Sequence, residues 1–561
     1  MNTLKYAWAI LNNKQKIYLF FLFFSIFLVV IFDILSLSIL IPFIHLVINI
    51  DILKNYPLLY KILESISSIF NINIILTIII IFFIFFVLRS FLYSLIIFYS
   101  NKFSYLTRAE ISQKILNYYI LLDYEKFFKL NSSEIITFIK QEVPQFGTAL
   151  LALINLSTNF IIATSIIIFL VFHYYYQLLL LLLIIVISSI IYFLAINRIV
   201  KNLSARRFSS EKNFLKNLQE ILSSYKEIRI YGRENFFLNI CRKYNLDICE
   251  VSYKWAFIQA LPKLWIEIVF FLILLSIVLF SYLEGGNANE SLVPLGVIAF
   301  GALRVLPILT IINTSYQNIN FSEASSERIY SILNFNAEVK KTESINNLVF
   351  ENEIKIVNLC FNYPDKQGLL LNNINFAIKK GDIIGIKGQS GSGKTTLIEI
   401  LIGLIKNYRG DIFVDGKNIR ENNESWRKNF AYIPQNIFLL DDTIKNNIVF
   451  GKDNVDLIKL KKIIKKVELN DLINNLPQGI DTSVGENAAF LSGGQIQRIA
   501  IARALYSEKK ILIMDESTNA LDKMAEKEIF DFIKNNLQDL TVIIISHQSE
   551  SLNICNKVMD I

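Results

Sequence analysis

The sequence predicts an all-α transmembrane domain with six spanning helices, fused to a cytosolic α/β P-loop ATPase domain. Three observations carry this. Six apolar segments (17–49, 72–100, 146–172, 174–196, 264–283 and 292–313) each suit the roughly 20 residues that a helix needs to cross hydrocarbon. Lysine and arginine concentrate between alternate segments. The remainder of the chain carries a Gly-rich turn after one apolar run and paired carboxylates after another.

The composition sets the frame. At 561 residues the chain is too long for one ordinary domain, and 53% of it is hydrophobic, with 44 phenylalanines. The expected division is a membrane domain over 1–335, a polar linker "NAEVKKTESINNLVF" over 336–350, and a soluble domain over 351–561. The four cysteines, Cys241, Cys249, Cys360 and Cys555, have no CxxC spacing, which argues against zinc or a disulfide framework and for a reduced, cytosolic setting. A formal charge of +8 raises the question of nucleic acid. The placement of the charge answers it, since the basic residues sort by loop, and no nucleic-acid partner is expected.

Between the second and third segments lie Lys102, Arg108, Lys114, Lys126, Lys129 and Lys140; between the fourth and fifth lie Arg198, Lys201, Arg206, Arg207, Lys212 and others. The turn "HYYYQ" (173–177) and the loop "EGGNANES" (284–291) contain none. Under the positive-inside rule the two basic loops and both termini are cytoplasmic. The first apolar run is too long for a cleaved signal peptide and reads as a retained anchor. Helical apolar spacing continues into both basic loops, so the spanning helices should extend into the cytoplasm. Residues 51–70, with Leu59, Leu63, Ile66 and Phe70 on one stripe, suit either a helix on the membrane surface or a packed loop. Pro42, Pro294 and Pro307 are candidate kinks.

The soluble domain opens its chemistry with "GQSGSGKTT" after "DIIGI". In this strand–turn–helix context Gly388, Gln389, Ser390, Gly391, Ser392 and Gly393 wrap backbone N–H groups around phosphate. Lys394 reaches the β/γ-phosphates, Thr395 ligates Mg²⁺, and Thr396 continues the helix start. The cofactors implied are ATP and Mg²⁺. "ILIMDES" (511–517) is a buried strand ending in Asp515, near the metal, and Glu516, placed to polarise an attacking water. Then "LSGGQIQRIAIARAL" opens an amphipathic helix with Ser492, Gly493, Gly494 and Gln495, a second place where N–H groups and the helix dipole favour an anion.

With these three motifs in this order the chain resembles the ATP-binding cassette (ABC) family, in the type I exporter layout of six spans ahead of one cassette. The resemblance implies that Tyr363 of "FNYP" stacks on adenine, that Gln435 of "YIPQN" senses Mg²⁺ and γ-phosphate, and that His547 of "IISHQ" is the switch histidine. Glu516, Gln435 and His547 are then the catalytic set, and Thr395, Gln435 and Asp515 the metal set. "SVGEN" (483–487) resembles the segment that exporters place ahead of the signature, and Asn519 stands where the family often has serine. One cassette per chain implies a homodimer, each signature facing the other copy's P-loop. Cassette contacts are expected near 122–135 and 219–229, the second across the dimer.

Three cations lie in or beside the spans: Arg89 in "FFVLRSFLY", Lys263 in "ALPKLWIEIVF" and Arg304 in "AFGALRVLPILTII". A cation at the bilayer centre costs about 2.5–3.5 kcal/mol on insertion scales, so it faces a cavity, a partner or a substrate. Snorkelling or a salt bridge would explain one of them, with Glu267 one turn from Lys263. Together they suit an anionic lipid head group, bound as substrate by Arg89, Lys263 and Arg304, whose tail need not leave the hydrocarbon. "YEKF", "VLRSFLYS", "ALPKLWIE" and "ALRVLP" resemble the lipid-linked oligosaccharide flippases of bacterial protein N-glycosylation. That resemblance implies a polyprenyl-pyrophosphate-linked glycan as cargo and a bacterial inner membrane as location. A general lipid, drug or peptide exporter would share every ATP motif; a nucleotide-gated channel or receptor would not need both carboxylates and His547.

Overall fold

The computed structural model describes residues 2–48, 64–69, 73–173, 175–283, 288–339, 347–363, 368–389, 391–452, 454–485, 488, 490–516, 531, 540–546 and 552–561. Within its helices, the side chains of 2, 36–37, 39–48, 170–171, 173–195, 269–270, 272–274, 276–303 and 335–339 fall outside that description. Leu59, Leu63, Phe70, Ser390, Asn519 and His547, and the side chains of Pro42 and Pro294, therefore lie outside the described residues. Contacts divide the chain into two units, Met1–Leu122 with Phe127–Lys340, and Asp123–Lys126 with Lys341–Ile561.

The first unit is helical. Its long helices are Asn13–Ile48, Ile74–Leu121, Val143–His173, Tyr175–Ser223, Glu234–Leu283 and Ala288–Phe321, and they carry all six apolar segments. Among the described residues three stretches are long and apolar enough to span a membrane: Asn13–Leu35, Ile74–Leu121 and Ser132–Phe169. Ile74–Leu121 begins at Asn73, whose side chain accepts from the Ile75 N–H, and runs for 48 residues. At 1.5 Å per residue that is roughly 70 Å, about twice a hydrocarbon core, so the helix continues far past it. Phe20, Phe21, Phe24 and Phe83 are exposed on these helices, as lipid-facing side chains must be.

Among the described residues, apolar clusters hold the unit's helices together, one of them Val200, Leu203, Val251, Ile258 and Phe321. Ile26, Val29, Ile96, Ile162, Ile166 and Ile308 pack where the spans meet, while Ala7, Leu11, Ile115, Phe138, Phe146 and Ile329 pack another cluster. Between Ser132–Thr137 and Val143–His173 the backbone widens into a π-turn, Phe138–Glu142. That turn buries the Glu142 carboxylate between Arg207, at 3.3 Å, and Arg328, at 3.2 Å.

The second unit has two sheets. The antiparallel one has the order β2-β1-β4-β5, from β1 (Glu353–Phe361), β2 (Leu371–Lys379), β4 (Arg409–Val414) and β5 (Lys417–Asn418). The parallel one has the order β6-β7-β8-β3-β9, from β3 (Ile383–Lys387), β6 (Phe430–Ile433), β7 (Ile511–Asp515), β8 (Thr541–Ile545) and β9 (Lys557–Asp560). β7 and β8 are buried along their whole length, which is why they read as unbroken apolar runs. Leu348 and Phe350, the end of the polar linker, are buried in the core of this unit. Trp426 anchors that core, its ring fully buried and its Nε1–H donating to the Leu401 carbonyl at 2.7 Å.

Candidate nucleotide site and membrane cations

The site forms at the carboxyl ends of β3 and β7, where ligands of parallel sheets collect. From β3 the chain turns through Gly388–Gly393 into the helix Lys394–Ile402. Gly391 and Gly393 have φ of 83° and 102°, conformations that favour glycine. Gly388 is required for another reason: a Cβ there would lie 2.5 Å from Ser392 Oγ and 2.6 Å from the Ile561 carbonyl. Ser392 N–H closes the turn on Gln389 O at 3.2 Å. Lys394 is buried, its Nζ donating to the carbonyls of Gly388 (3.0 Å) and Gln389 (2.9 Å), so its charge sits within the loop.

Tyr363 shares a hydrogen bond of 3.2 Å between its hydroxyl and Thr396 Oγ1, which places its ring beside the P-loop helix. Asp515 ends β7 buried, accepts from the Tyr432 hydroxyl at 3.0 Å and bonds the Thr395 side chain. Burial and the neighbouring Glu516 charge push its pKa up, against the pull of Tyr432, Thr395 and Lys394. Glu516 follows in the left-handed region, at φ 46°, with its N–H on the Ile545 carbonyl at 3.0 Å. Gln435 Nε2 donates to Glu516 Oε2 at 3.0 Å. Thus Thr395, Asp515, Gln435 and Glu516 come together around the P-loop.

The donor set fits Mg²⁺. The Thr395 hydroxyl and Asp515 carboxylate are hard oxygens, and Mg²⁺ takes one or two carboxylates plus substrate phosphate rather than a protein cage. Among the described residues no group of three or more His, Cys, Asp and Glu forms such a cage.

Ser492 and Gln495 are engaged with each other. Ser492 Oγ accepts from Gln495 N–H at 3.3 Å and Gln495 Oε1 accepts from Ser492 N–H at 2.9 Å, a capping box that starts the helix Gly493–Tyr506. Gly493 and Gly494 are its first residues. As the first residues of a helix, they have N–H groups without an intrahelical acceptor.

Tyr432, which sequence reasoning did not single out, and Tyr124, inside the expected contact segment 122–135, add to the site. Tyr432 holds Asp515, and Tyr124 donates to Glu399 Oε1 at 2.9 Å. Asp123–Lys126 belong to the second unit through that bond, the Lys406–Asp123 ion pair at 2.5 Å, and Glu125, which accepts from Lys406 N–H (3.1 Å) and Asn407 Nδ2 (3.2 Å). Burial raises the Glu399 pKa, and it raises Tyr124 to about 12 with help from the Glu399 charge.

In the first unit, Arg89 Nε and Arg304 Nη1 bond the same oxygen, Asp33 Oδ1, at 2.9 and 2.8 Å. Asp33 is fully buried and was not expected, although it interrupts the first apolar run in "VVIFDILSL" as plainly as Arg89 interrupts the second. Lys263 does not join them; its side chain is 68% exposed and faces Glu267 at 4.0 Å.

Comparison with known proteins supplies the family. The ABC transporter transmembrane region family matches residues 17–287, and the ABC transporter family matches 371–519. The chain belongs to the ABC transporters. Its fold is that of an ABC exporter: the solved structure of a bacterial Atm1-family ABC exporter with ATP bound superposes with a TM-score of 0.78, covering 96% of this chain and 93% of that one at 21% identity. An ATP-dependent lipid A-core flippase of Francisella novicida is 31% identical over 66% of this chain, and one of Desulfotalea psychrophila is 29% identical over the same share. A probable ABC transporter ATP-binding/permease protein of Haemophilus influenzae is 34% identical over 46%. The chain spans 63% and 64% of the length of the two flippases. Within this ABC transporter, the residues gathered around Lys394 are those of the ATPase domain.

Proposed function

We propose that two copies of this chain form an ATP-driven flippase that moves an anionic lipid head group across the bacterial inner membrane, the cargo being a polyprenyl-pyrophosphate-linked oligosaccharide. The observation that carries the reading is the convergence of the membrane arginines Arg89 and Arg304 in one unit of a chain whose other unit carries an ABC transporter ATPase domain.

Lys394 and the loop N–H groups bind and orient phosphate, while Tyr363 presents a ring for the base. Thr395 and Asp515 would hold Mg²⁺, which when bound neutralises phosphate oxygens. Gln435 aims Glu516, and Glu516 takes a proton from the attacking water. Ser492, Gly493, Gly494 and Gln495 of a second copy would close over the same nucleotide, and His547 would complete the set. Closing the pair is favoured by whatever binding energy the closed state offers over the open one. The segments 122–135 and 219–229 would carry that closure to the long helices. Both termini and the cassette are assigned to the cytoplasm.

For the cargo, guanidinium groups bind phosphate bidentately and stay charged, whereas the lipid tail stays in hydrocarbon. A second reading follows from the names of the relatives, a lipid A-core cargo. Reconstitution in liposomes with labelled candidates tests both: ATP-dependent loss of the pyrophosphate-linked glycan lipid from one leaflet is expected. Movement of the lipid A-core alone would replace that cargo. Movement of neither, with sustained ATP turnover that survives loss of Glu516, would remove the transport reading.

A further inference from the structure

Arg89 and Arg304 come from helices more than two hundred residues apart in sequence, yet both bond a single carboxylate oxygen. Two guanidinium groups this close repel each other, and in a low-dielectric setting that repulsion is strong. Asp33, on a third helix, cancels it. The burial is graded: the Asp33 side chain is fully enclosed, whereas those of Arg304 and Arg89 keep 10% and 20% of their surface. The anion lies behind and the cations lie in front. Arg89 bonds Asp33 through Nε, and its side chain keeps 20% of its surface. Aromatic rings back both cations, Tyr93 with its centroid 5.4 Å from Arg89 Cζ and Phe86 with its centroid 5.8 Å from Arg304 Cζ.

We infer that Asp33 is a positioning residue, which draws Arg89 and Arg304 into one clamp for the phosphate or pyrophosphate of a lipid head group without touching the cargo itself. This rests on the anionic-cargo reading above. It deepens that reading in one respect: two separate cations become a preorganised pair, held in a shared orientation before cargo arrives. A carboxylate that merely filled the cargo position would occupy the accessible side, and Asp33 is on the enclosed side.

The test uses the full-length protein in proteoliposomes, with polyprenyl pyrophosphate as probe and the polyprenol of the same chain length as neutral control. The quantity read is the lipid concentration giving half-maximal stimulation of ATP hydrolysis, each variant scaled to its own unstimulated rate. Wild type responds to the pyrophosphate lipid and not to the alcohol. Asp33→Asn then raises half-saturation about tenfold, and Asp33→Glu, which restores the charge one methylene further out, brings most of it back. An unchanged value in Asp33→Asn overturns the inference. So does a lower value, which would make Asp33 a competitor of the cargo. If Asp33→Asn does not assemble, Asp33→Glu decides: a rise of about threefold supports the clamp and no rise overturns it. A wild type that treats both lipids alike overturns the anionic-cargo reading itself.

Discussion

The hydroxyl of Tyr124 donates to Glu399 Oε1 at 2.9 Å, joining residues 275 positions apart. Glu399 lies one turn beyond Thr395 on the helix Lys394–Ile402, so Tyr124, which belongs to the second unit, is tied to the turn that follows Thr395. A hydrogen bond to a charged group contributes about 1.5–3 kcal/mol. Tyr124→Phe removes it with little change in shape. Faster amide hydrogen exchange across 123–128 in the purified protein is the expected result, and exchange identical to wild type would show that the bond holds nothing.

Glu516→Gln keeps the shape of the side chain and removes the base. ATP hydrolysis should fall by about 10²–10⁴-fold. Nucleotide binding, measured directly with a labelled ATP, should persist because the P-loop contacts of Lys394 are untouched. Undiminished hydrolysis in the purified variant would reassign the proton acceptor.

Trp426→Ala tests the cassette core. The ring is fully enclosed and its Nε1–H is satisfied by Leu401 O at 2.7 Å. Truncation leaves a cavity and an unpaired carbonyl, a cost of about 3–5 kcal/mol. Denaturant unfolding of the purified protein, followed through this unit, should shift to lower midpoint; a midpoint within error of wild type contradicts the packing.

Cys555 reports burial through pH. Desolvation pushes its thiol pKa up to about 11, whereas Cys249 is exposed. The thiolate is the reactive form, so at about pH 8 only roughly a thousandth of Cys555 is available to an alkylating reagent. Cys249 should label first at that pH, with Cys555 catching up only as pH climbs toward 11. Equal rates near neutrality would mean that Cys555 is open to solvent.

Much of this was legible in the sequence, for a local reason. The P-loop, "ILIMDES" and "LSGGQ" each encode their backbone within a few residues: glycines where φ is positive, an apolar run where a strand is covered on both sides, a serine where a helix needs a cap. Gln435 meets Glu516 because two neighbouring parallel strands end together. What stayed hidden was pairing over distance. Tyr124 with Glu399, Tyr432 with Asp515, and Asp33 with two arginines are set by how helices and strands pack, which no local spacing records. Asp33 did carry a readable signal. A carboxylate in an apolar run is as costly as a guanidinium, and searching for both signs would have matched it with Arg89 and Arg304.

The length of Ile74–Leu121 has a mechanical meaning. Arg89 sits about a third of the way along this helix, and Tyr119 and Leu121 sit at its end, directly before Asp123 and Tyr124. On a stiff member roughly 70 Å long, a tilt of about 5° displaces one tip by about 6 Å relative to the other. On this geometry a small rotation at one end of the helix becomes a displacement of several ångströms at the other.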